Sequence, residues 1–328
     1  MPTVAITDYT FADLEIEKSI LDPLAQVIGS QCKTPDALIE LVQNADAVIT
    51  QFAPVNAAVI DSMQRAKVIV RYGIGVDNVD LQAAKRKGIP VCNVPDYCID
   101  EVADHTLAFI LGMTRQVVPN AIAISQGKWG LATDLSHMRT LKDQTVGVVG
   151  FGRIGREVAM RLRAFKPQIL VYDPLVDPAQ LEPYGARSVS LAELLASSDI
   201  VTLHCPSTPQ TKKLLHRESI ATMKPGSLVV NLARGDLIDT VAMIEALQSG
   251  HWSGAAIDVC DPEPIPSDSP LRSMPKVIAA SHIASASPKA VRKLRESAAL
   301  HAANALRNLP LNHIVNGVQS DPSPERSL

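Results

Sequence analysis

Residues Thr145-Val-Gly-Val-Val-Gly150-Phe-Gly152-Arg-Ile-Gly155-Arg-Glu-Val-Ala-Met-Arg-Leu-Arg163, with Ile169-Leu-Val-Tyr-Asp173 shortly after them, decide the fold of the whole chain. An apolar run, Val146 to Val149, passes directly into three glycines in Gly-x-Gly-x-x-Gly spacing. Apolar residues then recur at helical intervals, at Ile154, Val158 and Leu162. The order is strand, tight turn, helix. Gly150 suits the turn, Gly152 lets a pyrophosphate approach the backbone, and Gly155 permits close packing of helix on strand. A phosphate would sit at the helix N-terminus. The second strand ends in Asp173, 18 residues after the last glycine, where a carboxylate can accept hydrogen bonds from an adenosine ribose. The unit reads as dinucleotide-binding. The charge of Asp173 would repel a 2′-phosphate, which selects NAD over NADP.

At 328 residues the chain exceeds the size at which a single core keeps growing, so two domains are expected. Hydrophobic residues make up 46% and charged residues 20%, a globular profile, and the net charge of −3 leaves no footprint for nucleic acid or anionic membrane. No apolar stretch has the length of a membrane span, and the N-terminus Met1-Pro-Thr-Val lacks the regions of a signal peptide. A cytoplasmic protein is expected. Five cysteines, an odd number with no Cys-x-x-Cys and no His at zinc spacing, predict free thiols and no metal.

Outward from the glycine motif, residues 1 to 98 alternate short apolar strands (Val4 to Ile6, Ala47 to Ile49, Val68 to Val70, Val91 to Val94) with amphipathic helices (Leu14 to Leu21, Ala57 to Met63, Leu81 to Arg86). Such alternation implies a parallel sheet. Within it, Arg71-Tyr72-Gly73-Ile74-Gly75-Val-Asp77-Asn-Val-Asp80 follows a strand. It is equally a nest of N–H groups for a carboxylate or a tight turn capped by Asp80. A long helix is expected from Asp100 to Gln126, interrupted around Pro119, and residues 127 to 144 read as a connector. After Asp173 come helix Leu191 to Ala196, strands at Ile200 to His204, Ser227 to Ala233, Ala255 to Val259 and Val277 to Ser281, with helix Val241 to Gln248 among them. A long helix over 287 to 307 closes the pattern, and the tail Ser320 to Leu328 reads as disordered.

Three charged residues follow strands of the second sheet: Arg234, Glu263 and His282. Functional groups in open parallel sheets sit at these strand ends. Hydride transfer to a carbonyl needs a cation to hold an anionic substrate and an acid to protonate the forming alkoxide. Arg supplies a bidentate fork, and a carboxylate beside a His orients its ring and favours its charged form. His204 enters Cys205-Pro206, a loop suited to backbone contacts with a cofactor. His105, His137, His216, His251, His301 and His313 read as structural.

The ordered set Gly75-Val-Asp77-Asn-Val-Asp80, Gly150-Phe-Gly152-Arg-Ile-Gly155, Asn231-Leu-Ala-Arg234-Gly, Asp258-Val-Cys-Asp-Pro-Glu263-Pro and Ser281-His282-Ile-Ala-Ser285 resembles the D-isomer-specific 2-hydroxyacid dehydrogenases. Arg71, the Ile6-Thr-Asp8 start and Val94-Pro-Asp96-Tyr97-Cys98 are most similar to the branch holding C-terminal-binding-protein-like dehydrogenases and, more distantly, phosphoglycerate dehydrogenase. The resemblance implies two Rossmann-like, doubly wound parallel-sheet α/β domains with the active site in a cleft between them. The first would be discontinuous, residues 1–98 plus 287–328, for substrate, and the second, residues 99–286, for NAD.

By the same resemblance, Arg234 holds the substrate carboxylate, His282 donates the proton and Glu263 pairs with it. Thr106, Gly150, Gly152, Arg153, Ile154, Gly155, Asp173, Pro206, Leu232, Ala233, Asp258 and Ser285 line the cofactor, with Asp258 at the nicotinamide amide. Tyr72, Gly73, Ile74 and Gly75 join Arg234 on the substrate, and Gln51, Phe52 and Tyr97 border its pocket. A homodimer through residues 100–145 is implied. Phosphite-oxidising relatives carry Lys where Ile74 stands, which argues against that substrate, and regulation by an appended C-terminal domain is not expected. The reading is an NAD-dependent oxidoreductase that interconverts a small 2-oxo acid and its D-2-hydroxy acid, reduction weakening as rising pH deprotonates His282. Glyoxylate, hydroxypyruvate, phenylpyruvate and sugar acids stay open as substrates. The alternative is an NAD(H)-sensing dimeric corepressor or scaffold of the C-terminal-binding-protein type.

Overall fold

The computed structural model describes residues 1–319, and the expectation for the tail from Ser320 lies outside them. The chain divides into two compact units, Met1–Tyr97 with the segment from Ser287 onward, and Cys98–Ala286.

The first unit opens with β1 (Thr3–Ile6), α1 (Glu15–Leu21), β2 (Gln26–Gly29), α2 (Pro35–Val42), β3 (Ala47–Thr50), α3 (Ala57–Ser62), β4 (Ile69–Arg71), α4 (Leu81–Arg86) and β5 (Val91–Cys92). The sheet order is β2-β1-β3-β4-β5, all parallel. β3 and β4 are buried at every position, as central strands covered on both faces must be. β2 and α2 were not foreseen. β2 is an edge strand with the largely exposed sequence Gln-Val-Ile-Gly, so no apolar run marks it. α2 announces itself only by its Thr34 cap, which accepts the Ala37 N–H, and by Pro35 in its first turn. Asp80 caps α4 by accepting the Ala83 N–H, so the turn reading of that loop holds.

The second unit begins with α5 (Ile99–Thr114) and α6 (Val117–Ser125). The interruption expected around Pro119 falls at Gln116, which adopts φ 52°, and Pro119 lies in the first turn of α6. A proline there forfeits nothing, because first-turn N–H groups have no intrahelical acceptor. The sheet then runs through β6 (Thr145–Val149), α7 (Arg153–Leu162), β7 (Gln168–Tyr172), β8 (Ala186–Ser188), α8 (Leu191–Ser197), β9 (Ile200–Leu203), α9 (Arg217–Ala221), β10 (Ser227–Asn231), α10 (Thr240–Ser249), β11 (Trp252–Ile257) and β12 (Val277–Ala279). The strand order β12-β11-β10-β9-β6-β7-β8 reverses direction at β6, so the switch point lies between β6 and β9. In open parallel sheets that is where ligands bind, beyond the carboxyl ends of the strands.

The chain then returns to the first unit as α11 (Pro288–Leu306), which packs on α1, β3 and β4 through a run of buried alanines. One buried cluster fixes this contact. Arg295, 7% exposed, donates to both Glu17 oxygens (2.9 and 2.7 Å) and to Asp13 (3.0 Å), and its guanidinium lies 4.9 Å over the Phe11 ring. The Tyr72 hydroxyl donates to Glu17 at 2.9 Å. All four groups are satisfied, which is the condition for burying charge. Among the described residues no single helix is long and apolar enough to cross a membrane, and α5 and α6, which together have the length, are bent by 67°. All five cysteines are free thiols.

Candidate active site

The register of β6 on β7 pairs Val149 with Tyr172, so Gly150 and Asp173 leave the sheet side by side. Gly150 takes φ 92°, and a Cβ there would stand 2.5 Å from the Cys205 N at the end of β9. A Cβ on Gly155 would stand 2.2 Å from the Gly150 carbonyl oxygen. Helix, turn and neighbouring strand therefore close on one another through glycine. Gly152 differs: its Cβ would meet no protein atom within 4 Å, so nothing in the protein's own packing calls for glycine there. The open side of that residue, at the N-terminus of the ten-residue α7, is a cradle that fits a pyrophosphate. Asp173 accepts the Phe151 N–H (2.7 Å) and the Leu175 N–H (2.9 Å), which aims its carboxylate while leaving lone pairs for ribose hydroxyls. Arg153 is exposed and Ile154 half-buried beside this cradle.

β10, β11 and β12 lie adjacent, with Asn231 opposite Ile257 and Ile257 opposite Ala279. Their exits carry Arg234, Asp258 and His282. Asn231, buried to 1%, spans the first loop: its Nδ2 donates to the Arg234 carbonyl (2.8 Å) and its Oδ1 accepts the Ala233 N–H (3.0 Å). The Arg234 side chain donates to the Ala233 carbonyl at 2.7 Å. His282 Nδ1 lies 2.7 Å from Glu263 Oε1, with side chains 28% and 39% exposed. Burial works to raise the Glu263 carboxyl, but the hydrogen bond and charge of His282, with Arg234 contributing, outweigh it and hold Glu263 below the usual carboxylate range. Nδ1 committed to a carboxylate assigns proton exchange with a substrate to Nε2. The residues predicted from scattered motifs thus gather on one edge of one sheet. Asn231 was quoted only as part of a motif, and its bridging amide had no signature in spacing.

Two of the expected contact residues are buried in their own units. Thr106 is fully buried, its hydroxyl donating to Val102 O at 2.7 Å, because α5 is covered by α7 on one side and by β10 and β11 on another. Its side chain reaches no open face. Tyr72 is 1% exposed and spends its hydroxyl on Glu17, so it can offer a substrate main chain alone. The loop after it is better placed. Val94 N–H donates to the Gly73 carbonyl (2.9 Å) and Asn93 Nδ2 to the Ile74 carbonyl (2.6 Å). In a trans peptide the following N–H points the opposite way, so the N–H groups of Ile74 and Gly75 face away from the strand that anchors them.

Pro206 is exposed, Ala233 and Ser285 half-buried, and Leu232 8% exposed. His204 donates to or accepts from Thr202 Oγ1 at 2.9 Å, and burial pushes it down to about 4, so it is neutral near pH 7. His301 packs edge-on to His313, and His251 contacts the Ile220 carbonyl.

A family model described as D-isomer specific 2-hydroxyacid dehydrogenase, NAD binding domain, matches residues 107–284. The chain belongs to this family. D-3-phosphoglycerate dehydrogenase of Archaeoglobus fulgidus is 35% identical over 289 residues, 88% of this chain and 54% of that protein. The chain spans about half the length of the curated relatives it matches. D-lactate dehydrogenase from Aquifex aeolicus, solved with NAD and lactic acid, is 29% identical with a TM-score of 0.84 over 93% of this chain and 95% of that one. NAD-dependent formate dehydrogenase from Staphylococcus aureus, solved with NAD, is 28% identical with a TM-score of 0.86, covering 96% of this chain and 99% of that one. NAD is the cofactor of the dehydrogenase domain that this chain carries, and the cradle at Gly152 with the carboxylate of Asp173 fits it.

Proposed function

We propose that the protein interconverts a small 2-oxo acid and its D-2-hydroxy acid with NAD(H). The observation that carries this reading is the His282–Glu263 pair on the same strand edge as Arg234, in the sheet that ends in the dinucleotide turn. NADH, when bound, supplies the hydride. Arg234 holds the substrate carboxylate with its planar fork, and Gly73, Ile74 and Gly75 are assigned to the substrate on the family resemblance alone. His282 Nε2 hands its proton to the carbonyl oxygen as that oxygen becomes an alkoxide, and Glu263 steadies the charged ring beforehand. In oxidation His282 takes the hydroxyl proton. Arg153, Ile154, Pro206, Leu232, Ala233, Asp258 and Ser285 are assigned to the cofactor on the family resemblance.

Exposed apolar residues are frequent between Val117 and Leu135 (Val117, Ile122, Ile124, Trp129, Leu131 and Leu135), in the segment the family resemblance gives to a homodimer, and we assign the contact there, in the cytoplasm. Light scattering should give twice the chain mass, reduced to one by Ile122→Lys with Leu131→Lys.

The test of the reaction is NADH oxidation against glyoxylate, hydroxypyruvate, its 3-phosphate, phenylpyruvate, pyruvate and sugar-derived 2-oxo acids, with His282→Ala as control. Turnover of one member, lost by 10³-fold or so in the variant, is the expected result, on the order of what general acid catalysis supplies. Turnover that survives the substitution unchanged refutes the role of His282. Tight NADH binding with no turnover of any 2-oxo acid would favour a sensor over an enzyme.

A further inference from the structure

Three consecutive main-chain N–H groups converge on one buried residue. His282 N–H donates to the Asp258 carbonyl (2.8 Å), Ile283 N–H to Asp258 Oδ1 (2.8 Å) and Ala284 N–H to Asp258 Oδ2 (2.9 Å). Asp258 is 2% exposed, and its own N–H is fixed to the Asn231 carbonyl at 3.0 Å. The segment it grips is conformationally unusual. His282 has φ 58°, in the left-handed region that a residue with a Cβ avoids. Such a conformation persists only where the surroundings over-determine it, and here the surroundings are the backbone and carboxylate of Asp258.

The direction of the His282 Cβ is set by φ and ψ at that residue. With the two N–H groups after it released, φ would relax to negative values and carry the imidazole away from the Glu263 oxygen that lies 2.7 Å off. The family resemblance places Asp258 against the cofactor, and its carboxylate oxygens keep lone pairs for that contact. The geometry adds a second and separable task.

We propose that Asp258 is a positioning residue for His282, holding the left-handed backbone that aims the imidazole. The proposal rests on the reading of His282 as proton donor, and it acts wholly through that side chain. Asp258→Asn retains size but turns an amide N–H toward one of the two main-chain donors.

The experiment is a double-mutant cycle of Asp258→Asn with His282→Ala, read by reduction of the 2-oxo acid that responds best in the panel. Histidine-selective ¹⁵N NMR of the cofactor-free protein accompanies it. The expected result is a 10- to 100-fold loss of kcat for Asp258→Asn alone and no further loss in the His282→Ala background. A shift of the His282 ring resonance should match that of Glu263→Gln. A loss that persists in full in the His282→Ala background, or a ring resonance that does not move, overturns the clamp and leaves Asp258 as a cofactor contact. A His282→Ala variant as active as the parent overturns both the clamp and the reading beneath it. Should Asp258→Asn fail to fold, Asp258→Ser, with one hydroxyl left to accept a single N–H, carries the same readouts.

Discussion

Replacing Glu263 by Gln keeps an oxygen near His282 Nδ1 and removes the charge. A hydrogen bond to a charged group contributes about 1.5–3 kcal/mol, and partial exposure of both side chains brings this one just below that range, to about 1.4 kcal/mol. That is a factor of ten in an equilibrium. The sign follows from linkage. The protonated ring lowers the Glu263 carboxyl, so the ionised carboxylate must equally favour the protonated ring. Glu263→Gln should therefore move the high-pH fall in 2-oxo-acid reduction to lower pH. The rate at pH values beyond that fall drops about tenfold while the low-pH plateau changes little. Oxidation should begin to rise at correspondingly lower pH. The assay is kcat/KM against pH, with 4-deuterated NADH to verify that hydride transfer limits the rate. A limb that stays in place, or moves upward, refutes the pairing argument.

Asp173→Ser should bring the preference for NAD over NADP down at least tenfold in kcat/KM, because the charge that repels a 2′-phosphate is gone; an unchanged ratio refutes that role. Gly155→Ala forces a methyl to within 2.2 Å of the Gly150 oxygen, so α7 must shift, with weaker NADH binding by fluorescence titration and a lower Tm. Arg295→Met leaves Glu17 buried without its cation and should cost about 3–5 kcal/mol in denaturant unfolding, against about 1–2 for Tyr72→Phe. Acid should destabilise the fold in two stages. His204 is held near 4, so the unfolded chain alone binds its proton between about pH 6.5 and 4, and stability falls as pH drops through that window. The carboxyls of Asp96, Asp239 and Glu263, all lowered by ion pairs in the native state, add a further loss as pH falls through their depressed values. His204→Gln should flatten the first stage in a pH series of urea melts.

The sequence by itself determined the dinucleotide turn, because glycine spacing, flanking periodicity and the acid on the next strand all express local geometry. It also placed Arg234, Glu263 and His282 at strand ends, since β-rich runs in an alternating pattern mark where strands stop. It could not show β2, whose edge position leaves it with no apolar signature, nor the break at Gln116, because proline is more legible than a left-handed glutamine. The burial of Thr106 and Tyr72 was not legible for one shared reason: burial is a property of what packs on a residue, and α7 and α11 come from elsewhere in the chain. Only the tertiary structure brought Glu263 to 2.7 Å from His282, across 19 residues of sequence, and set Asp258 beneath three successive N–H groups. Those contacts depend on the register of three parallel strands, and register is decided by the sheet as a whole.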